Sequence, residues 1–562
     1  MNKENFPSPS FIRKNTTLLD GEWDFAFDSD SSKNINTISF DRKIIVPFPY
    51  QAKLSGINIK DDINTVWYRK EFTYKKSYKR LLLCFGAVDY KADIYINNNF
   101  VFTHEGGFSS FKVDITNELK EGVNEIVVRV EDTLSTTQLR GKQSWKGELF
   151  GCWYTPTTGI WQSVYLEEAG SIYLKECLIT PDINNNRADF TIKLSSSIST
   201  CASATLTLKD KLLGKVDFNI SGDEGVASFI FNDRDILRSD YQWSPENPNL
   251  IDVKVNVADD EVFLYFGMRS IEVKDGYIYL NNHKLYQRLI LDQGYWPDSL
   301  MTPPTNKALE EDILLSKSMG FNGARKHQKV EAEHYYYYAD KYGFLLWGEL
   351  PSRYSYSLHS SLSVISELDN YIKNKYNHPS IIAWVPLNES WGTSNILKDK
   401  KQQAFAEALA NYAFSLDQTR FISSNDGWEQ TESASILSVH DYSIIPPWLG
   451  ESKEMAKSGV ADVRRLYVDG VSYQNQPILL TEFGGIAFSD GRDDTWGYNG
   501  KVQDKEAFYK RLKDLLDRVK ADKEIQGFCY TQLTDVMQET NGLLNEDRKP
   551  KLEVEVYRSL FS

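Results

Sequence analysis

A multidomain fold is predicted for this chain: an N-terminal β jelly roll, an immunoglobulin-like β-sandwich, and a C-terminal (β/α)8 TIM barrel. Three observations predict it. Short alternating strand patterns separated by Gly, Asn, Asp and Pro turns fill residues 1–170. Residues 171–270 continue in β with more Ser, Asn and Asp and fewer aromatics. From 271 to 562, apolar strand runs alternate with amphipathic helical runs eight times, the pattern of a parallel barrel wrapped in helices.

Composition agrees. A chain of 562 residues is too long for one ordinary core, so several units are expected. An apolar fraction of 41% and a charged fraction of 25% belong to a soluble globular protein. The net charge of −14 argues against a nucleic-acid partner, which calls for a basic face. No run approaches the ~18 apolar residues of a membrane span. The opening MNKENFPSPSFIRKN lacks the apolar stretch of a secretory signal. Cys84, Cys152, Cys177, Cys201 and Cys529 form no CxxC pair, which suggests neither a disulfide framework nor a zinc site. A reducing, cytoplasmic setting is the simplest expectation. The 13 Trp and 32 Tyr suit sugar stacking, but also ordinary strands, so alone they decide nothing.

In the first unit, EWDFAFD (22–28), TVWYRKEFTY (65–74), ADIYINNNFVF (92–102) and NEIVVRVED (124–132) read as strands, with a hairpin turn at Asn97-Asn98-Asn99. GCWYTPTTGIWQSVYLE (151–167) is an aromatic loop followed by a closing strand. The second unit supplies about the strand number of an immunoglobulin-like sandwich, and WSPENPNL (243–250) is barred from a ladder by its prolines. It carries no obvious chemistry and reads as a spacer. In the third, the strand candidates are LYQRLILDQG, FNGARKHQ, FLLWGELP, IIAWVPLNES, RFISSNDGW, ILSVHDYS, PILLTEFGG and GFCYTQLTDV. The tyrosine run Tyr335–Tyr338 lies on a helix, where core packing is the expected role.

Barrel sites lie at the carboxyl ends of the strands. Glu389 ends strand four and Glu482 ends strand seven, on roughly opposite sides of the barrel. Two such carboxyl groups, one attacking and one donating a proton, are what retaining glycoside cleavage requires. Glu482 is assigned as nucleophile and Glu389 as acid/base, kept protonated by burial and the neighbouring negative charge. Asn388 is placed to bind the sugar 2-hydroxyl. The same face receives Asp292 and Gln293 after strand one, Arg325 and His327 after strand two, and Glu349 after strand three. Asp426 and Trp428 follow strand five, His440 and Tyr442 strand six, and Trp496 lies in the loop after strand seven as a stacking platform. Each has a plainer alternative: Arg325 can simply hold a buried carboxylate, and Tyr442 can cap a core. SDGRDD (489–494) resembles a calcium loop only loosely, and a solvated turn is the stronger reading. No GxSxG elbow, HExxH helix, Walker loop or Rossmann glycine pattern is present, and the histidines lack ligand spacing. No metal and no cofactor are expected.

These residues resemble glycoside hydrolase family two, which contains β-galactosidases, β-glucuronidases and β-mannosidases. The likeness covers all three units: LDGEWDFAFD and TVWYRKEF, then FGMRSIEV, then NHPSIIAWVPLNESWG and PILLTEFGG. It implies Glu389 as acid/base, Glu482 as nucleophile, and retention of configuration. There are departures. An Arg-x-Ser-His-Tyr segment is replaced by Arg325-Lys326-His327-Gln328-Lys329, and Asn-Arg-His-Glu by LDQGYWPD. Where the family's glucuronidases carry Asn-x-Lys for a sugar carboxylate, this chain has Glu539-Thr540-Asn541. A terminal neutral β-hexoside, galactoside first, is therefore the expected substrate. β-Glucuronidase, β-glucosidase, β-mannosidase and a non-catalytic carbohydrate-binding protein are the alternatives. The expected partner is a glycoside or oligosaccharide. A homo-oligomer is compatible with this reading, as is a jelly-roll loop that completes the site.

Overall fold

The computed structural model describes residues 2–232, 238–489 and 495–562. The first unit is a sandwich of two antiparallel sheets. One orders Arg42–Val46, Gly21–Phe27, Thr65–Tyr74, Gly122–Glu131, Lys91–Ile96 and Asn99–Glu105; the other orders Phe111–Asp114, Arg80–Phe85, Val164–Ala169 and Thr16–Leu18. Strand periodicity dictates the packing: Ala92, Ile94 and Ile96 alternate inward along Lys91–Ile96 and meet Trp23, Phe25 and Val128 in the core. Full burial of each large aliphatic is worth about 1.5–3 kcal/mol. The expected hairpin is present: Ile96 pairs with Asn99, and Asn97 and Asn98 take φ of +50° and +68°. Asparagine tolerates that left-handed pair better than most residues.

The second unit orders Phe11–Ile12, Asp260–Phe266, Ile251–Val257, Arg187–Leu208 and Leu174–Asp182, with Lys211–Ile230 also paired to Arg187–Leu208. The N-terminal strand thus adds to the edge of the second unit, Phe11 opposite Leu264. The 22-residue strand Arg187–Leu208 has a register shift between Lys193 and Ile198, where extra residues bend it. Arg13 ties the two β units, donating to Asp260 Oδ1 (3.0 Å) and Glu167 Oε2 (3.0 Å).

The third unit is the barrel. Its strands are β1 Gln287–Asp292, β2 Gly323–Lys326, β3 Leu345–Glu349, β4 Ile381–Val385, β5 Phe421–Ile422, β6 Leu437–His440, β7 Ile478–Gly484 and β8 Ile525–Thr531. They pair in parallel throughout, in the order β5-β4-β3-β2-β1-β8-β7-β6. Ser435 N donates to Ile422 O (2.9 Å) across the remaining β5/β6 seam. Helices α1 Asn306–Ser318, α2 Glu333–Tyr342, α3 Ser361–Lys375, α4 Lys400–Leu416, α5 Ser452–Ser458, α6 Lys505–Ala521 and α7 Val554–Phe561 follow every strand except β5. Thr305, Asp399 and Asp504 cap α1, α4 and α6 through their side-chain oxygens, satisfying first-turn N–H groups. Tyr335, Tyr336 and Tyr338 are buried on α2, as the helix reading expects. Among the described residues, no helix is long and apolar enough to cross a membrane.

What positions the site is a jelly-roll loop, residues 132–158, laid over the barrel mouth. Arg140 N and Gly141 N donate to Ser352 O (2.9 and 3.0 Å), while Tyr354 N and Ser355 N donate to Thr136 O (2.8 Å each). Gly141 takes φ of +59°, and a Cβ there would sit 2.3 Å from Gln328 O, so glycine permits the approach.

Candidate active site

The β4 strand ends in a tight turn that aims Glu389 back over the barrel. Glu389 and Ser390 hold φ of +52° and +57°, a left-handed conformation costing about 1–3 kcal/mol per non-glycine residue. Neighbours secure it: Glu389 N donates to Asp426 O (2.9 Å) and Ser390 N to Asn425 Oδ1 (2.9 Å). Glu482 lies in β7 and is 5% exposed. One carboxylate oxygen from each glutamate and a ring nitrogen of His440 fall within 4.8 Å of one another.

Arg325, fully buried, organises the carboxylates. It donates to Glu482 Oε1 (2.7 Å), Glu349 Oε2 (2.6 Å) and Asn388 Oδ1 (2.6 Å), and lies 3.0 Å from Asp426 Oδ2. Its fork reaches four strands at once, as lysine could not. Tyr442 Oη donates to Glu482 Oε2 (2.6 Å). Burial and the Glu482 charge push this phenol well above its ordinary value, so it stays a donor. Burial carries the Glu349 carboxyl up to about 7 despite Arg325. His327 stands 3.1 Å from Glu349 Oε1, out of line for a hydrogen bond; burial and Arg325 keep it neutral.

His440 links both halves. Its Nδ1 lies 2.8 Å from Glu389 Oε1 and 3.5 Å from Glu482 Oε2, and its Nε2 lies 2.9 Å from Asp426 Oδ2. Burial opposes its charge, but Glu482, Asp426 and Glu389 together raise its pKa to about 10. Asp426 is held well below the carboxylate range by Arg325 and His440 against the cost of burial. Glu389 departs from the sequence expectation. Burial does push its carboxyl up, but the His440 imidazolium, with Lys142 and Arg325, outweighs burial and keeps the group ionised. The transferable proton therefore belongs to the Glu389–His440 pair. Gly427, at φ of +104°, makes room for the imidazole; a Cβ there would lie 2.7 Å from the ring. Closing this trio on a cation would require His440 to give up its proton and would set the ion near Arg325, both of which disfavour a metal.

Thus Glu389, Glu482, Asn388, Arg325, His327, Glu349, Asp426, His440 and Tyr442 come together. No side-chain hydrogen bond or ion pair joins the other four predicted residues to this network among the described residues. Asp292 accepts from Gly294 N (2.8 Å), Lys326 Nζ (2.9 Å) and Tyr335 Oη (3.1 Å), which occupies both its oxygens. Lys326 also meets Glu331 (2.9 Å), so the unusual lysine after Arg325 belongs to this second buried charge cluster. Gln293 is buried with Oε1 unpaired among the described residues. Trp428 is half-buried at the rim, edge-on to His440 (5.5 Å), with Arg464 over its face (4.2 Å). Trp496 is half-buried, donating to Gly151 O (3.2 Å) and packing edge-on to Tyr498 (4.9 Å). Most of the calcium-like stretch, 490–494, lies outside the described residues.

Residue-level reading missed the jelly-roll side chains and two barrel aromatics. Trp391 Nε1 donates to Glu389 Oε2 (3.3 Å). Tyr498 stacks on Tyr442 (4.2 Å, 16°). Lys142 is buried over the rings of Trp153 (5.8 Å) and Tyr154 (5.9 Å) and forms no ion pair among the described residues. Burial opposes its charge, but Cys152, Glu539 and Glu482 keep it protonated. Glu539, which does point inward, accepts from Tyr154 Oη (2.7 Å) and Asn541 Nδ2 (3.1 Å). The aromatic-rich loop 151–161 was the one signal available in sequence.

Three family models match the chain. "Glycosyl hydrolase 2 galactose-binding domain-like" covers residues 54–159, "Glycosyl hydrolases family 2" covers 172–269, and "Glycosyl hydrolases family 2, TIM barrel domain" covers 271–562. A putative beta-glucuronidase of Formosa agariphila is 26% identical over 441 residues, 75% of this chain and 50% of that protein. A beta-galactosidase of Thermoanaerobacter pseudethanolicus is 25% identical over 361 residues, 60% of this chain and 46% of that protein. The chain thus spans about half the length of these curated relatives. Among solved structures, a GH2 beta-galacturonidase from Eisenbergiella tayi bound to galacturonate superposes with a TM-score of 0.77 at 20% identity, covering 98% of both chains.

Proposed function

The chain belongs to glycosyl hydrolases family 2, and from that premise we propose that it is a retaining exo-β-glycosidase acting by double displacement. The observation that carries this reading is the approach of Glu389 and Glu482 to within 4.8 Å, oxygen to oxygen. Retention calls for carboxyl groups about 5–5.5 Å apart, whereas inversion needs about 6.5–9.5 Å to admit a water. Glu482, hydrogen-bonded by Arg325 and by Tyr442, attacks the anomeric carbon and forms a glycosyl ester. As the leaving oxygen departs, His440 Nδ1 passes its proton to Glu389, which protonates that oxygen; the imidazole is left neutral with its Nε2 hydrogen toward Asp426. In the second step water gives its proton to the same pair and cleaves the ester. Asn388, oriented by Arg325, meets the 2-hydroxyl.

Two readings of the sugar follow. A neutral galactoside comes first from the sequence, since Glu539-Thr540-Asn541 offers no cation. A β-uronoside is favoured by Lys142, a buried ammonium with no ion pair among the described residues, and by the likeness to a protein described as a galacturonidase. A panel of nitrophenyl β-glycosides that includes the galactoside, glucuronide and galacturonide tests both, with the first-formed anomer read by NMR. Glu482→Ala is expected to abolish turnover. Glu389→Ala should cost about 10²–10⁴-fold on poor leaving groups and less on good ones. Wild-type rates in both variants, or an inverted anomer, would end this reading.

A further inference from the structure

Five aromatic side chains form one continuous cluster beginning at Glu389. Trp391, whose indole nitrogen bonds the Glu389 carboxyl, packs edge-on against Trp153 (5.4 Å) and Tyr354 (5.3 Å). Trp145 stacks on Tyr354 (4.1 Å, 29°) and Phe150 on Trp153 (4.8 Å, 25°), while Trp145 also meets Phe150 (5.0 Å) and Trp153 (4.8 Å) edge-on. Trp145, Phe150 and Trp153 belong to the jelly-roll loop, Tyr354 and Trp391 to the barrel. Each is only half-buried, so the cluster presents ring surface to solvent. The loop is fixed at both ends: Gly141 by Ser352 and by the Tyr354 hydroxyl, and Gly151 O by Trp496 (3.2 Å) and Gln538 (2.8 Å).

The acid of a retaining glycosidase must stand on the side from which the leaving group departs, because its proton goes to the glycosidic oxygen. His440 takes Oε1 of Glu389 on the side of Glu482, whereas Trp391 takes Oε2, so the cluster that starts at Trp391 lies along the aglycone. We propose that this cluster is a leaving-group subsite built to stack a flat ring, either an aryl aglycone or the apolar face of a second pyranose; this rests on Glu389 being the acid. Aromatic faces favour such partners, and a pinned cluster forfeits little entropy on binding. Two cations touch the cluster, Lys146 over Phe150 (4.1 Å) and Lys142 over Trp153 (5.8 Å), and none lies over Trp145, Tyr354 or Trp391 among the described residues.

The test uses the full-length protein with the methyl, phenyl and disaccharide glycosides, and the glycosyl fluoride, of whichever unit the panel identifies. For the wild type, KM for the phenyl or the disaccharide substrate should lie about tenfold or more below that of the methyl glycoside; which of the two is favoured assigns the ring. In Trp145→Ala, the ratio of kcat/KM for that ring-bearing substrate to kcat/KM for the fluoride should fall about tenfold, and Trp145→Phe should restore most of it. Because the readout is a ratio, partial loss of folded enzyme does not imitate it. An unchanged ratio in Trp145→Ala, or equal KM for methyl and ring-bearing glycosides, overturns the subsite. Failure to cleave any fluoride would instead overturn the catalytic assignment beneath it.

Discussion

Replacing His440 by glutamine probes the proton inventory. Glutamine can still donate a hydrogen bond toward Glu389, so the change chiefly removes charge. Two unit charges 2.8 Å apart attract by about 6 kcal/mol at an effective dielectric of ~20, and a charge-assisted hydrogen bond exceeds a neutral one by about 1–2 kcal/mol net. Losing the imidazolium therefore raises the Glu389 pKa, with only Lys142 and Arg325 left to oppose burial. In the wild type the pair keeps its proton until His440 loses it at about 10. In His440→Gln the carboxyl holds that proton alone, so the alkaline limb of kcat/KM for a poor leaving group should move to lower pH. With dinitrophenyl glycosides, which need little proton donation, the limb should hardly move. Profiles from pH 5 to 11 on both substrates read this directly, with thermal denaturation as the check on folding. An alkaline limb that stays put with the poor leaving group would refute the shared-proton account.

Arg325→Met removes the cation hydrogen-bonded to both Glu349 and Glu482 and should destabilise the fold by about 3–5 kcal/mol in urea titrations at pH 7.5. The loss should shrink below pH 7, as Glu349 takes up a proton; a pH-independent loss would show that charge is not its cause. Lys142→Met should lower kcat/KM for a uronoside by about 10–100-fold, the worth of a hydrogen bond to a charged group, and leave a galactoside within about threefold. Equal losses on both sugars would remove Lys142 from charge recognition and leave it a packing role over Trp153 and Tyr154.

The fold was legible because each unit announces its own period. Two-residue alternation in Lys91–Ile96 and helical spacing in α6 are local signals, and neither depends on distant partners. The candidate site was legible to the extent that the barrel makes it local too. Counting strand ends was enough to find Glu389, Asp426, His440, Tyr442 and Glu482. The same count failed to separate Asp292, because its side chain is claimed by Lys326 and Tyr335, and that competition is decided by packing. Lys142, Cys152 and Trp153 lay beyond any such rule. They precede Glu389 by more than two hundred positions and reach it only because Ser352 and Thr136 pin one domain's loop onto another.

Charge state was the least legible property of all. Sequence alone shows two glutamates approaching and suggests that the buried one keeps its proton, since burial and a like charge both act that way. It does not show that a strand-six histidine will stand between them. Once His440 occupies that place, three carboxylates share one imidazolium, and electrostatics favours moving the proton from the acid to the base. Arg325 tips the balance further by stabilising the anions around it. The acid/base role proposed for Glu389 requires that His440 lie within a single hydrogen bond of it, close enough to return the proton when the leaving oxygen develops charge. The shared proton is thus a property of three strand ends acting together: β4 supplies the carboxyl, β5 the anchoring aspartate, and β6 the imidazole.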